Sequence, residues 1–121
     1  MIRRRRENAP ELGQAAEARA RRHLERQGLR CRMQNFRARG GEIDLVMDHG
    51  EETVFVEVRQ RSDARFGSAL ESVTPAKRAR LVRAAHQYLQ RYGDCACRFD
   101  VVAIDAAGHI EWVANAFDAD G

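Results

Sequence analysis

The chain has 121 residues, 44% hydrophobic and 32% charged, which is the length and composition of one soluble globular domain rather than of a disordered chain. No apolar run approaches the roughly 20 residues that cross a bilayer, and the basic start at residues 1–6 lacks the apolar stretch of a secretory signal. The net charge of +3 hides a lopsided distribution: 12 Arg against 4 Glu through Arg39, then 9 basic against 14 acidic residues from Gly40 onward. A basic segment on an acidic body points to an anionic partner, nucleic acid above all, with a solvated helix face as the plain alternative. Of the basic side chains 20 are Arg and one is Lys, and Arg grips phosphate in a bidentate manner.

Residues 1–8 read as a basic flexible tail, 9–117 as one domain and 118–121 as a C-terminal tail. The composition of residues 10–27, rich in Ala, Leu, Glu and Arg, predicts a helix that Gly28 stops. Its apolar face carries Ala9, Gly13, Ala16, Ala20 and Leu24. An irregular strand is expected over 29–37, a turn over 38–41, and a strand over 42–47. A hairpin turn over 48–51 then leads into a strand over 53–61 rich in Val and Phe. Residues 62–72 read as a loop. Thr74-Pro75 is a helix start, with Thr as N-cap and Pro at the first helical position. Leu81, Val82, Ala85, Tyr88, Leu89 and Tyr92 form the apolar stripe of that helix, which Gly93 ends. Strands over 98–105 and 109–113, joined by a turn, complete the order αβββαββ, an α/β sandwich with a mixed sheet.

Cys31, Cys95 and Cys97 are an odd set without a secretory signal, which indicates a reducing cytoplasm and no disulfide framework. Cys95-x-Cys97 has no second ligand pair at zinc spacing. His23, His49, His86 and His109 are scattered and predict no metal site.

Two carboxylates stand out because they sit on strands otherwise made of Val, Ile, Leu and Phe. With Gly50-Glu51 as a two-residue turn, antiparallel partners have numbers summing to 101. Asp44 is then expected opposite Glu57, and Glu42 opposite Arg59. Opposed side chains in a sheet have Cβ atoms about 5 Å apart. Two carboxylates that close repel, and a proton or a cation relieves them. Oxygen ligands suit Mg²⁺, which takes one or two carboxylates and keeps several waters. Asp44 and Glu57, with the carbonyl of Val58, offer that chemistry, and Arg59 on the same face would stabilise developing negative charge. The alternative is a solvent-facing pair matched by Arg59 and Arg61. Glu17 either leans toward the sheet as a third carboxylate or pairs with Arg21 one turn on.

Gly41-Glu42-Ile43-Asp44-Leu45-Val46 followed by Phe55-Val56-Glu57-Val58-Arg59 resembles the PD-(D/E)xK nuclease signature. Within that superfamily the chain looks like the YraN family of bacterial proteins. Gly13-Gln14-Ala15-Ala16-Glu17, Asn35-Phe36-Arg37, Arg98-Phe99-Asp100-Val101-Val102 and Glu111-Trp112-Val113 extend the likeness over almost the whole chain. The resemblance implies a restriction-endonuclease-like fold, a central mixed sheet flanked by helices. It also implies Glu17, Asp44 and Glu57 as ligands of Mg²⁺ or Mn²⁺. Arg59 stands where the signature has Lys, and Ile43 where it has Pro. An Arg stays charged, so Arg59 can position phosphate but cannot act as a general base. Related nucleases often act as homodimers, which is analogy alone.

Lys77 and Arg78, in the first turn of the second predicted helix, are expected to hold a phosphate, and Arg61 and Arg65 to track a nucleic-acid backbone. Asp100 in its apolar strand is expected to have a structural partner such as Arg98, and Trp112 and Phe117 to pack. The function expected is Mg²⁺-dependent hydrolysis of phosphodiester bonds in DNA, branched or single-stranded. A non-catalytic nucleic-acid-binding protein of the same fold is the alternative, and an interaction scaffold without nucleic acid ranks third. No membrane partner is expected.

Overall fold

The computed structural model describes residues 2–61 and 69–119, with side chains described from Gly13 onward. The elements in chain order are α1 (Ile2–Arg26), β1 (Arg30–Ala38), β2 (Gly41–His49), β3 (Glu52–Arg61), a 3₁₀ turn (Leu70–Ser72), α2 (Pro75–Tyr92), β4 (Cys97–Asp105) and β5 (Ile110–Phe117). This is the αβββαββ order expected. The first helix begins well before Pro10, taking in the segment read as a tail. Arg is a good helix former, although Pro10 inside the helix removes one backbone hydrogen bond.

The five strands form one sheet in the order β1-β2-β3-β4-β5. Every neighbouring pair is antiparallel except β3 and β4. A parallel pair needs a crossover, and α2 supplies it. The two helices lie on opposite faces of the sheet. Ala16, Ala20 and Leu24 of α1 pack with Leu45, Met47, Val54, Val56 and Val102. Leu81, Ala84, Ala85 and Tyr88 of α2 pack with Ile43, Val46, Phe55, Phe99 and Val101. Side chains alternate along a strand, so one strand feeds both layers. That explains why β3 reads as a nearly continuous apolar run rather than as a half-polar strand.

The N-cap of α2 is as expected: the Thr74 hydroxyl accepts from the Lys77 N–H at 3.2 Å, with Pro75 following. Gly93, at φ 110°, ends the helix with its N–H on the Leu89 carbonyl at 2.8 Å. Two details of the stripe differ from the periodicity. Ala84 is fully buried, and Tyr92 is 50% exposed because the last turn of α2 runs beyond the strands that cover Tyr88.

Asp100 is buried on the α1 side and saturated with donors. The Arg98 guanidinium donates from Nε at 3.0 Å and Nη2 at 3.2 Å, Trp112 Nε1 at 2.9 Å, and the Asn115 N–H at 2.9 Å. Asn115 adopts φ 51°, a left-handed conformation that Asn tolerates, at the irregularity where β5 slips against β4. Asp100 is thus the structural residue expected, and Phe117 packs as expected, stacked on Phe99 with ring centroids 5.0 Å apart. Asp100→Ala strands the half-buried Arg98 and two further donors. It should cost about 3 kcal/mol of stability, read as a lower urea midpoint at unchanged slope.

Candidate functional site

The hairpin pairs in the expected register: Leu45↔Val56, Val46↔Phe55, Met47↔Val54, Asp48↔Thr53 and His49↔Glu52. Beyond Leu45 the ladder stops. Asp44 and Glu57 do not continue as a backbone pair, and Glu42 does not meet Arg59. Glu42 instead lies across from Arg37 of β1, with carboxylate and guanidinium 4.0 Å apart. The cause is local. Asn35, the β1 residue facing Asp44 in this register, takes φ 54° and interrupts the β1–β2 ladder at the same level. The Asp44 side chain then substitutes for a strand partner, its Oδ2 accepting the Val58 N–H at 2.8 Å.

This bond draws Asp44 against Glu57, the juxtaposition expected from pairing but reached through a side chain. Glu57 is 3% exposed. Two cations flank it: Lys77 Nζ at 3.5 Å and Arg59 Nη1 at 3.7 Å, both from the same oxygen, Oε2. Glu57 lies on the α2 face, and the first turn of α2 brings Lys77 down onto it. Sequence reasoning singled out Lys77 as a phosphate holder at a helix start. It had no means of placing the amine against Glu57, because the two residues meet only through the crossover.

Burial holds the Glu57 carboxyl far above the carboxylate range, to about 8; the charge of Asp44 adds to this, and Lys77 and Arg59 offset only part of it. Asp44 is also raised by burial, while the Val58 N–H and the hydrogen bond from Glu57 pull it back. The hydrogen bond between the two carboxyls thus raises Glu57 and lowers Asp44. Glu17 of α1 joins from the other face. Burial, then the charge of Asp44, lifts it to about 7, and Asn35 partly offsets the rise. Its Oε1 is buried with no hydrogen-bond partner, and Arg21 pairs with Glu25 instead, at 4.0 Å. The reading of Glu17 as an ion pair with Arg21 is thus replaced by one in which it faces the strand carboxyls.

Among the described residues, no three His, Cys, Asp or Glu side chains are gathered tightly enough to hold a metal ion as they stand. Asp44 and Glu57 form the nucleus, and Glu17 is the looser third member. All three offer oxygen, and one or two carboxylates with water suffice for Mg²⁺, so the donor set and the orphaned Glu17 oxygen fit that ion.

The other candidates separate. Arg78 is turned inward: its Nε donates to the Val73 carbonyl at 3.1 Å, its Nη2 to the Leu70 carbonyl at 3.4 Å, and its guanidinium covers the Phe117 ring at 5.4 Å. Those contacts tie the 3₁₀ turn and β5 to α2, a structural role in place of the expected hold on phosphate. Arg61 is largely buried and lies 3.5 Å from Glu111. Arg65 falls outside the described residues. The three cysteines are free. No described helix is long and apolar enough to cross a membrane.

Fold and site together define an α/β/α domain with a buried carboxyl pair, flanked by cations, at the end of a split hairpin. The chain belongs to the family described as uncharacterised protein family UPF0102, whose model matches residues 16–104. A UPF0102 protein of Dechloromonas aromatica is 56% identical over 108 residues, covering 89% of each chain. Another, from Herminiimonas arsenicoxydans, is 53% identical and covers 89% of this chain and 87% of its own. A third, from Alkalilimnicola ehrlichii, is 50% identical over 98% of both chains. The matched segment spans Glu17, Asp44, Glu57 and Lys77.

The raised carboxyls set a pH dependence of stability. A carboxyl whose folded pKa lies above its unfolded value binds its proton more tightly when folded. The stabilisation is complete below the unfolded pKa of 4.5 and is lost as pH rises toward about 8. Metal-free protein should therefore melt lower at pH 8.5 than at pH 5.5. Glu57→Gln, which mimics the protonated carboxyl, should flatten that decline by several degrees at the alkaline end, as measured by thermal unfolding across pH.

Proposed function

We propose that the protein is a metal-dependent nuclease of the PD-(D/E)xK type that hydrolyses phosphodiester bonds in DNA. The observation that carries this reading is the surround of Glu57: 3% exposed, against Asp44, with Lys77 and Arg59 both within 3.7 Å of one carboxylate oxygen. Burying two adjacent carboxyls costs stability, and groups perturbed in this way cluster at functional sites. The αβββαββ topology and the resemblance of the hairpin sequence support the same superfamily. Free cysteines accord with a cytoplasmic setting.

In this reading Asp44 and Glu57 hold Mg²⁺ or Mn²⁺, with Glu17 as a further oxygen donor. When bound, such an ion polarises a phosphoryl oxygen and lowers the pKa of a water. The chain's own residues do the rest. The Asp44–Val58 bond fixes one carboxylate at the strand split. Arg59 keeps its charge at any working pH and so can neutralise a phosphate as negative charge builds on it. The Lys77 amine lies 3.5 Å from the Glu57 carboxyl, where the signature's Lys would be needed. Lys77 thus acts beside Arg59, holding the attacking water by hydrogen bond and offsetting charge on the phosphate.

A second reading, a nucleic-acid-binding protein that keeps the fold without catalysis, draws on Arg59 and on the absence of a ready three-ligand group among the described residues. Plasmid, flap and junction DNA incubated with Mg²⁺ or Mn²⁺ separate the two. Nuclease action predicts cleavage that chelation abolishes and that Asp44→Ala, Glu57→Gln and Lys77→Met each reduce by about 100-fold or more. Salt-sensitive binding without cleavage, indifferent to divalent ions and to Glu57→Gln, would establish the second reading instead.

A further inference from the structure

We propose that a single strand of nucleic acid lies along one side of α2, from Lys77 to Tyr92, in a groove that opens from the carboxyl site. The proposal rests on the nuclease reading for where the strand leads, but not for the binding itself.

Two cavities lie end to end on this side. The first, about 350 Å³, lies between the β1–β2 turn and the start of α2 and is lined by Arg37, Gly40, Gly41, Glu42, Lys77 and Arg80. The second, about 290 Å³, continues toward the end of the helix between Phe36, Arg37, Ala38, Gln87, Gln90 and Arg91. Arg37 and Ala38 belong to both, so the two form one track. Lys77 joins that track to the site, because the same amine lies 3.5 Å from Glu57. The groove holds four cations, Arg37, Lys77, Arg80 and Arg91, against one acid, Glu42. Arg80 is exposed and has no acidic partner among the described residues.

The walls are built in advance. The Gln87 side chain donates from Nε2 to the Arg39 carbonyl at 2.7 Å and accepts from the Arg39 N–H at 3.2 Å. At Gly41 the turn comes so close to α2 that any side chain would run into the Arg80 carbonyl. A groove that is already rigid loses little entropy when a ligand enters.

At the far end stands Tyr92, half exposed, the one exposed large hydrophobic side chain among the described residues. Its inner face rests on Tyr88 with centroids 4.6 Å apart, and the Arg91 guanidinium lies 5.8 Å from the ring centre. A basic track ending in a supported aromatic ring is the pattern that binds single strands, in which phosphates meet the cations and an unpaired base stacks on the ring. A duplex keeps its bases stacked on one another and has none to offer Tyr92. From Lys77 to Tyr92 the helix rises roughly 22 Å, and the smallest single-strand sites take about four nucleotides.

Fluorescence anisotropy with a labelled single-stranded DNA of about 12 nucleotides, and with the matching duplex, tests this in EDTA, where hydrolysis plays no part. The single strand should bind the more tightly. Tyr92→Ala should weaken it about tenfold with the salt slope unchanged. Arg80→Ala should weaken single strand and lower the salt slope by about one. Arg26→Ala, at the end of α1 on the opposite face of the sheet, should alter neither. Inorganic phosphate should compete only at far higher concentration than the oligonucleotide; if it competes equally well, the groove is a simple anion site and the proposal fails. It also fails if the duplex binds more tightly, or if Tyr92→Ala, folded by circular dichroism, binds as the parent does. Weakened single-strand binding in these variants without any cleavage by the parent would sustain the groove and defeat the nuclease reading. Cleavage that survives with groove variants binding normally would do the reverse.

Discussion

One hydrogen bond organises the functional end of this molecule: the Val58 N–H to Asp44 Oδ2, 2.8 Å long. It falls where β2 stops pairing with β3 beyond Leu45↔Val56. A strand that loses its partner inside a domain has backbone donors to satisfy, and an unpaired buried N–H costs as much as a lost hydrogen bond. Asp44 meets that demand with its side chain. The cost is electrostatic, because the carboxylate is drawn against Glu57 in a site with little water. The upward shift of the Glu57 carboxyl and the approach of Lys77 and Arg59 offset that charge, whereas Glu17, leaning in from the other helix, adds to it.

Asp100 shows what a buried acid looks like when structure is its whole purpose. Its oxygens take four donors from Arg98, Trp112 and Asn115, at 2.9 to 3.2 Å, and a slipped β5 supplies the last of them. Glu57, nearly as buried, has cations at 3.5 and 3.7 Å, and its carboxyl is pushed up to about 8. Both are carboxyls on adjacent strands of one sheet. A satisfied group resists change, whereas Glu57 has charge to exchange with a ligand.

The second helix unites the parts. It is the crossover that lets β3 and β4 run parallel, it covers one face of the sheet, and its first turn delivers Lys77 to the carboxyls. Gln87, one long stretch further on, clamps the β1–β2 turn. The groove along this helix and the site at its start are therefore parts of one rigid arrangement.

How far such features can be read without coordinates depends on the range of the interaction behind them. Composition and periodicity determined the helices and strands, the Thr74 cap, the Gly93 stop and the hairpin register, because each depends on neighbours a few residues apart. They also marked Asp44 and Glu57 as acids on neighbouring apolar strands, although the contact between them is made through the Asp44 side chain and not through the ladder. The start of α1 was not legible, because Pro10 reads as the first position of a helix rather than as a residue inside one. Tertiary structure alone decided the rest. The split of β2 from β3 falls level with Asn35, a left-handed residue on a third strand. The inward turn of Arg78 depends on carbonyls and a ring from the 3₁₀ turn and β5. The meeting of Lys77 with Glu57 depends on a crossover that packs back on the sheet. Local propensity carries no record of these contacts, because they arise only when elements distant in the chain bury their apolar faces together.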